Sequence, residues 1–337
     1  MALRLKFACG EYDRTIPFRT GDIKPHDIDL EYTPQAPELT FLQQLRDMRY
    51  DVSEMSMSAY IQMRASGRGD FIALPVFPSR VFRHSALYVR TASDIRRPEQ
   101  LRGRRVGIGY YQMSGAVWAR GMMMDDYGVK PEEITWVSGM DLKAEAGADQ
   151  VDQLHDMVEG TRRAKPRLEE MLEAGEIDAL LSVHTPRALA RNEGTVRYLF
   201  ENCREVEEDY FRRTGIFPMM HTIVIKRKVY DQHPWIAQNL FDAFDAAKRR
   251  AMENLYETNA LAVVAPFIVH DIERTRQLMG MDYWPFGVEP NMNSITTFIR
   301  HLRDQRIIDR SPEVRELFLD VRPSAPGKRV GTVLAQR

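Results

Sequence analysis

The feature that most narrows the fold is the alternation of strand and helix signals between Leu3 and Val76. Residues 3–8 read as a strand, and a polar turn at 10–15 leads into a short helix that stops at Gly21. Residues 28–32 form a second strand, and Pro37 opens a helix over 38–48. A short strand at 50–52 precedes Ser53-Glu54-Met55-Ser56, which opens a helix to about Ala65, and residues 71–76 are a fourth strand. Strands separated by helices of this length predict βαβ units around a parallel sheet.

The alternation breaks at Pro78-Ser79-Arg80, followed at once by Arg83-His84 and a strand at 85–89 that leaves the first unit. A second series begins near Pro98. It has a helix over 111–127 ended by Gly128, a strand at 134–137, a polar loop or insertion over 138–160, a helix over 167–174 and a strand at 179–183. From Gly215 an apolar strand returns toward the first unit. Helices follow at 234–256, 260–268, 272–279, 295–305 and 312–319, and the residues from Arg322 on read as an arm or disordered tail. The expectation is an α/β fold of two domains, residues 1–90 with 216–337 and an inserted 91–215. A length of 337 residues is consistent with that division. This two-crossing architecture resembles type II periplasmic-binding-protein folds, in which the ligand sits between the domains, at the carboxyl ends of strands.

Charge excludes some function classes. The 47 Lys and Arg are balanced by 48 Asp and Glu, so no global field favours nucleic acid, and any anion site must come from local placement. Cys9 and Cys203 are far apart and have no CxxC spacing, which points to buried free thiols rather than a disulfide or zinc framework. The first ten residues carry Arg4 and Lys6 and lack an apolar h-region, so a secretory leader is not expected there. No apolar run approaches the roughly 18 residues of a membrane span. The chain is therefore expected to be cytoplasmic, with a homo-oligomer left open.

Several segments resemble the 4,5-dihydroxyphthalate decarboxylase family. They are Asp51-Val52-Ser53-Glu54-Met55-Ser56, Pro75-Val76-Phe77-Pro78-Ser79-Arg80 with Phe82-Arg83-His84, and Leu101-Arg102-Gly103-Arg104-Arg105-Val106-Gly107. Tyr111-Gln112-Met113, Ala116-Val117-Trp118-Ala119-Arg120-Gly121, Gly175-Glu176-Ile177-Asp178-Ala179-Leu180, Phe217-Pro218-Met219 with His221, and Tyr283-Trp284-Pro285-Phe286-Gly287 continue it. The Ser-Glu-Met-Ser and Phe-Pro-Ser-Arg-x-Phe-Arg-His stretches are the specific ones. Leu-x-Gly-x-x-Val-Gly and Gly-x-Ile-Asp-Ala occur in many binding-protein-like folds. The resemblance implies decarboxylation of a dihydroxylated phthalate, with a small aromatic carboxylate as the partner molecule. A non-catalytic solute-binding protein for a carboxylate is the competing reading.

Decarboxylating a hydroxylated aromatic acid without a cofactor requires a hold on carboxylate, a proton for the ipso ring carbon and a partner for the ring hydroxyls. Arg80, at the end of an apolar strand, is the first candidate clamp, against the alternative of an arginine that ties two domains together. Arg83 and Arg14 are further clamp candidates. His84, His184 and His221 all fall at the expected cleft, with His84 the best placed as proton donor. Glu54 is either a base for a ring hydroxyl or a helix cap. Ser56 and Ser114 lie at expected helix N-termini, whose N–H groups attract carboxylates. Tyr111 and Gln112 fall in the first turn of an expected helix, where ligand contacts are usual in this architecture. Trp118, Met122, Met123 and Met124 read as core. The three histidines and Glu54 come from separated segments without a local ligand motif. No cofactor is therefore expected, and a divalent ion is only a weak alternative. Gly107-x-Gly109 lacks the third glycine of a dinucleotide fingerprint, so nucleotide binding is rejected.

Overall fold

The alternating segments build two five-stranded sheets. They are seen in a computed structural model that describes residues 2–138 and 167–324 and the backbone of 330–332. The first sheet has the order β3-β1-β4-β11-β5, where β1 is Leu3–Cys9, β3 Ile28–Pro34, β4 Val52–Ser56, β5 Phe71–Leu74 and β11 His221–Lys226. The second has the order β10-β6-β9-β7-β8, where β6 is Leu87–Arg90, β7 Arg105–Ile108, β8 Thr135–Ser138, β9 Ala179–Leu181 and β10 Val196–Tyr198. A further pair joins β2 (Ile23–Pro25) to β12 (Val330–Thr332).

Helices α1 (Ile16–Thr20), α2 (Pro37–Asp47) and α3 (Met57–Ala65) connect the strands of the first sheet, and α4 (Ser114–Tyr127) and α5 (described over 167–174) belong to the second. The remaining helices are α6 (Arg187–Ala190), α7 (Cys203–Thr214), α8 (Arg227–Gln232), α9 (Ile236–Asn254), α10 (Ile268–Met279), α11 (Met292–Asp304) and α12 (Val314–Leu317). Trp118, Met122 and Met123 are core, as expected, whereas Met124 is only half-buried. On the same helix Gly121 lies under the His301 ring of α11, where a Cβ would have no room.

Several expectations need correction. Residues 53–56 are strand, not helix. All five residues of β4 are buried, so the strand shows no alternation to betray it. The first sheet is not wholly parallel, because the returning strand β11 runs antiparallel to both β4 and β5. In the second sheet β6 runs antiparallel to β9 and β10. Its pairing puts residues 87–90 in the second sheet. The helix expected from 111 begins at Ser114, so Tyr111 and Gln112 precede it. Residues 260–267 are not helical, Pro266 lacking the N–H a helix needs, whereas α7 and β10 had no clear signal. Apart from Ser138, the polar stretch 138–160 lies outside the described residues, as does most of the C-terminal arm.

The two crossings between the sheets run side by side. The Met220 N–H donates to the Ser79 carbonyl at 2.8 Å and the Val81 N–H to the Pro218 carbonyl at 3.1 Å, with Arg80 bridged to Met219. This pairing brings the outgoing and returning segments to one wall.

Candidate active site

The antiparallel return places a histidine beside a buried carboxylate. In the β4–β11 register His221 faces Ser56 and Ile223 faces Glu54. His221 and Glu54 are therefore diagonal neighbours on one face of the sheet. Because β11 runs backwards, its first residue lies at the carboxyl end of β4, where ligands of such sheets gather. His221 Nδ1 is 2.6 Å from Glu54 Oε1. The carboxylate also accepts the Tyr12 hydroxyl at 2.8 Å, the Gly10 N–H at 2.8 Å and the Cys9 thiol at 3.3 Å. Glu54 is wholly buried. Burial alone would raise its pKa, but the His221 charge and hydrogen bond, with Gly10 and Tyr12, outweigh it and hold the carboxyl below its usual range. Glu54 is thus neither a helix cap nor exposed. The cap of α3 is Ser56, whose hydroxyl accepts the Ala59 N–H at 3.4 Å.

Above this pair opens a cavity of about 690 Å³, lined from the first sheet by Tyr12, Phe41, Ser56 and His221 and from the second by Met113, Ser114 and His184, among others. Nδ1 of His221 is committed to Glu54, and Nε2 makes no hydrogen bond among the described residues. The ring's edge packs on Phe41 at 4.9 Å. Ser56 and Ser114 meet across the cavity floor, Oγ to Oγ at 2.9 Å, and Ser114 also accepts the Ser58 N–H at 3.1 Å. The N-termini of α3 and α4 therefore converge there; the first-turn N–H groups of α3 are taken by the Met220 carbonyl, Ser114 and Ser56, which leaves the α4 N-terminus as the one facing a ligand.

Arg83 supplies the cavity's cation. Its Nε donates to the Met220 sulfur at 3.3 Å, and its terminal amino groups have no hydrogen-bond or ion-pair partner among the described residues. Burial lowers its pKa to about 10, which leaves it charged at neutral pH. Gly115 makes room for it, since a Cβ there would stand 2.6 Å from Val183 Cγ1 and 3.0 Å from Arg83 Cζ. A half-buried cation that no carboxylate contacts among the described residues, with Glu207 acting on it only at longer range, is a seat for a carboxylate beside a helix N-terminus.

Other residues singled out in the sequence are placed differently. Arg80 is buried away from the cavity, where it donates to the carbonyls of Phe217 at 3.0 Å and Pro285 at 3.2 Å and to Asn291 Oδ1 at 2.5 Å. It ties the crossing segments to the C-terminal region and does not line the cavity. Arg14 lies between the Tyr12 and Trp284 rings, 4.3 and 4.5 Å from their centres, and donates to the Pro78 carbonyl at 2.6 Å. Tyr111 is stacked under Arg120 at 3.8 Å, and Gln112 is buried outside the cavity lining. His184 is exposed on the cavity rim opposite His221. Among the described residues no three His, Cys, Asp or Glu side chains are grouped to hold a metal ion, and of the expected four only Glu54 and His221 meet. No helix among these residues is long and apolar enough to cross a membrane. Tyr12, Gly10 and Phe41 were missed. They lie in a polar turn and a helix whose sequence carries no ligand motif.

His84, the expected proton donor, is 1 % exposed and wedged between the Phe200 and Tyr210 rings, with neither ring nitrogen hydrogen-bonded among the described residues. Its place in a single 3-10 turn before β6 points it into the core. Burial lowers its pKa to about 4, so the folded protein holds it neutral while the unfolded chain takes up a proton below its ordinary value of 6.5. The stability this contributes is present above that value and is lost as pH falls toward 4. Denaturant titrations are expected to show about 2–3 kcal/mol less loss between about pH 7.5 and about pH 4.5 for His84→Leu than for the parent chain.

Against this geometry the similarity to known proteins can be set. The chain is 34% identical over 326 residues to a 4,5-dihydroxyphthalate decarboxylase of Comamonas testosteroni, covering 94% of this chain and 96% of the relative. The chain belongs to the 4,5-dihydroxyphthalate decarboxylase family. A second member, from Pseudomonas putida and of the same name, is 31% identical over 62% of this chain and 82% of its own length. A family model described as a phosphonate ABC transporter periplasmic substrate-binding protein matches residues 25–153. Among solved structures, the periplasmic aliphatic sulphonate binding protein SsuA from Escherichia coli superposes with a TM-score of 0.57 at 14% identity, covering 96% of this chain and 94% of SsuA. A mutant of the desulfurization enzyme DSZB in complex with biphenyl-2-sulfinic acid gives 0.58 at 13% identity, over 94% of this chain and 96% of that one. These neighbours establish a periplasmic-binding-protein-like fold for this chain.

Proposed function

We propose that this chain is a carboxy-lyase that converts 4,5-dihydroxyphthalate to 3,4-dihydroxybenzoate and CO₂. The observation that carries this reading is the buried Glu54–His221 pair at the base of a cavity whose cation, Arg83, has no ion-pair partner. Family membership supplies the substrate. Arg83 and the α4 N-terminus hold the carboxylate that stays, because clamping the departing one would stabilise the ground state more than the transition state. His221 Nε2 delivers a proton to the ring carbon bearing the other carboxylate, while the hydroxyl para to it donates electron density into the ring. The C–C bond then breaks, its electron pair restores aromaticity, and CO₂ leaves. The product carries hydrogen where the carboxylate stood, and His221 regains its proton from solvent. Glu54 holds the ring by Nδ1 and balances the imidazolium.

The test is incubation of purified protein with 4,5-dihydroxyphthalate, following CO₂ release and 3,4-dihydroxybenzoate by chromatography. Stoichiometric formation of both is expected. Tight binding with no CO₂ would instead support a non-catalytic carboxylate-binding protein, a binding role like that of the SsuA neighbour.

A further inference from the structure

Glu54 does not meet His221 unaided. Its Oε1 is shared between His221 Nδ1 at 2.6 Å and the Tyr12 hydroxyl at 2.8 Å, so the phenol fixes one side of the oxygen that faces the imidazole. Tyr12 reaches it from a turn locked by its own backbone. The Tyr12 N–H donates to Thr15 Oγ1 at 2.8 Å, and the Tyr12 carbonyl accepts the N–H groups of Thr15 at 2.8 Å and Ile16 at 2.9 Å. The ring is also covered by the Arg14 guanidinium, itself backed by Trp284. The phenol folds over Gly10 so closely that a Cβ there would stand 2.5 Å from Tyr12 Cζ and 2.7 Å from its oxygen. No other residue leaves room for this contact.

We propose that Tyr12 is a positioning residue of the site, holding Glu54 toward His221, and that Gly10 is the glycine that admits it. The role assigned to the pair rests on the decarboxylase reading; the contact itself does not. Burial and the adjacent carboxylate raise the Tyr12 pKa far above its usual value, so the phenol remains a donor throughout the working range. The other titratable or charged groups around the carboxylate are Cys9, also held protonated by burial, Tyr32, Arg14 and His221. None of these can replace the hydrogen bond of Tyr12 to Oε1 without leaving its own partner.

The experiment compares the parent chain with Tyr12→Phe, Gly10→Ala and the double variant, with two readouts. One is the titration of the Glu54–His221 pair followed at the histidine ring nitrogens by ¹⁵N NMR, without substrate. The other is the pH profile of kcat/KM beside the affinity for phthalate, which lacks the hydroxyls that assist ring protonation. Losing one donor to an ionised carboxylate is expected to move the pair's titration up by about one pH unit, and the matching limb of the profile with it. At neutral pH kcat is expected to fall about three- to tenfold while phthalate affinity changes less than about twofold. Gly10→Ala is expected to reproduce the Tyr12→Phe shift, and the double variant to add nothing. An unmoved titration in Tyr12→Phe would overturn the proposal. So would a loss of phthalate affinity in step with kcat/KM, which would make Tyr12 a substrate contact. If the parent chain turns nothing over, the decarboxylase reading fails, and the NMR titration still decides the role of Tyr12.

Discussion

Replacing His221 by Asn is expected to lower kcat on 4,5-dihydroxyphthalate by about 10²- to 10⁴-fold with KM little changed, the range lost when a positioned proton donor is removed. Asn keeps a polar group at the site but cannot carry a proton to carbon. Glu54→Gln is the companion variant. Its amide is nearly isosteric, so the fold around β4 should survive, yet one oxygen must now serve the donors that a carboxylate shares between two. The Tyr12 hydroxyl and His221 Nδ1 meet Oε1, and the Gly10 N–H meets Oε2. One of these contacts is lost or faces an N–H₂ group. kcat should fall by about 10²-fold or more, and the double variant should be no slower than His221→Asn alone, since the two residues act as a unit. Steady-state kinetics with a circular dichroism check of folding measures all three. Parent-like kcat in either single variant would remove this pair from the mechanism.

The second large effect separates two arginines that are neighbours in sequence. Arg83→Met is expected to raise KM about 10- to 100-fold, through loss of a charge-assisted hydrogen bond worth about 1.5–3 kcal/mol. Its fold should tolerate the change, because among the described residues the guanidinium makes a single hydrogen bond, to the Met220 sulfur. Arg80→Met should do the reverse. It strips hydrogen bonds from the Phe217 and Pro285 carbonyls and from Asn291; the Pro285 carbonyl keeps the Asn291 amide N–H, and each buried acceptor left bare costs about 1–3 kcal/mol. Thermal unfolding should show a much lower Tm for Arg80→Met, and isothermal titration with phthalate the weakened binding for Arg83→Met. Equal KM values in parent and Arg83→Met would take Arg83 out of the carboxylate seat and leave only the α4 N-terminus at Ser114.

The contrast between these arginines shows where sequence reasoning ended. Pro78-Ser79-Arg80 and Phe82-Arg83-His84 were recognisable as the corner where the chain passes between two α/β units, and the family resemblance marked the same residues. The segment has neither helical nor strand periodicity, so nothing in it says which side chain faces the cavity. That is decided by its pairing with residues 216–220, more than a hundred positions away in the chain. The pairing turns Arg80 toward Asn291 and Arg83 toward Gly115. His84 is closed off between Phe200 and Tyr210, one of them on α7, a helix without a clear sequence signal.

What the sequence determined by itself was the set of parts. It held the alternation that makes two α/β sheets, the crossing between them, a cleft at their strand ends, and the Ser-Glu-Met-Ser and Phe-Pro-Ser-Arg-x-Phe-Arg-His segments that carry the family. These are local patterns, set by propensity, turn chemistry and burial within a few residues. Only the tertiary structure decided which histidine meets Glu54. An antiparallel return was needed to set His221 diagonal to it at the carboxyl end of β4, and that direction is a property of strand pairing between distant segments. Register and strand direction depend on how the whole sheet buries its faces, so no window of sequence around Glu54 or His221 contains them.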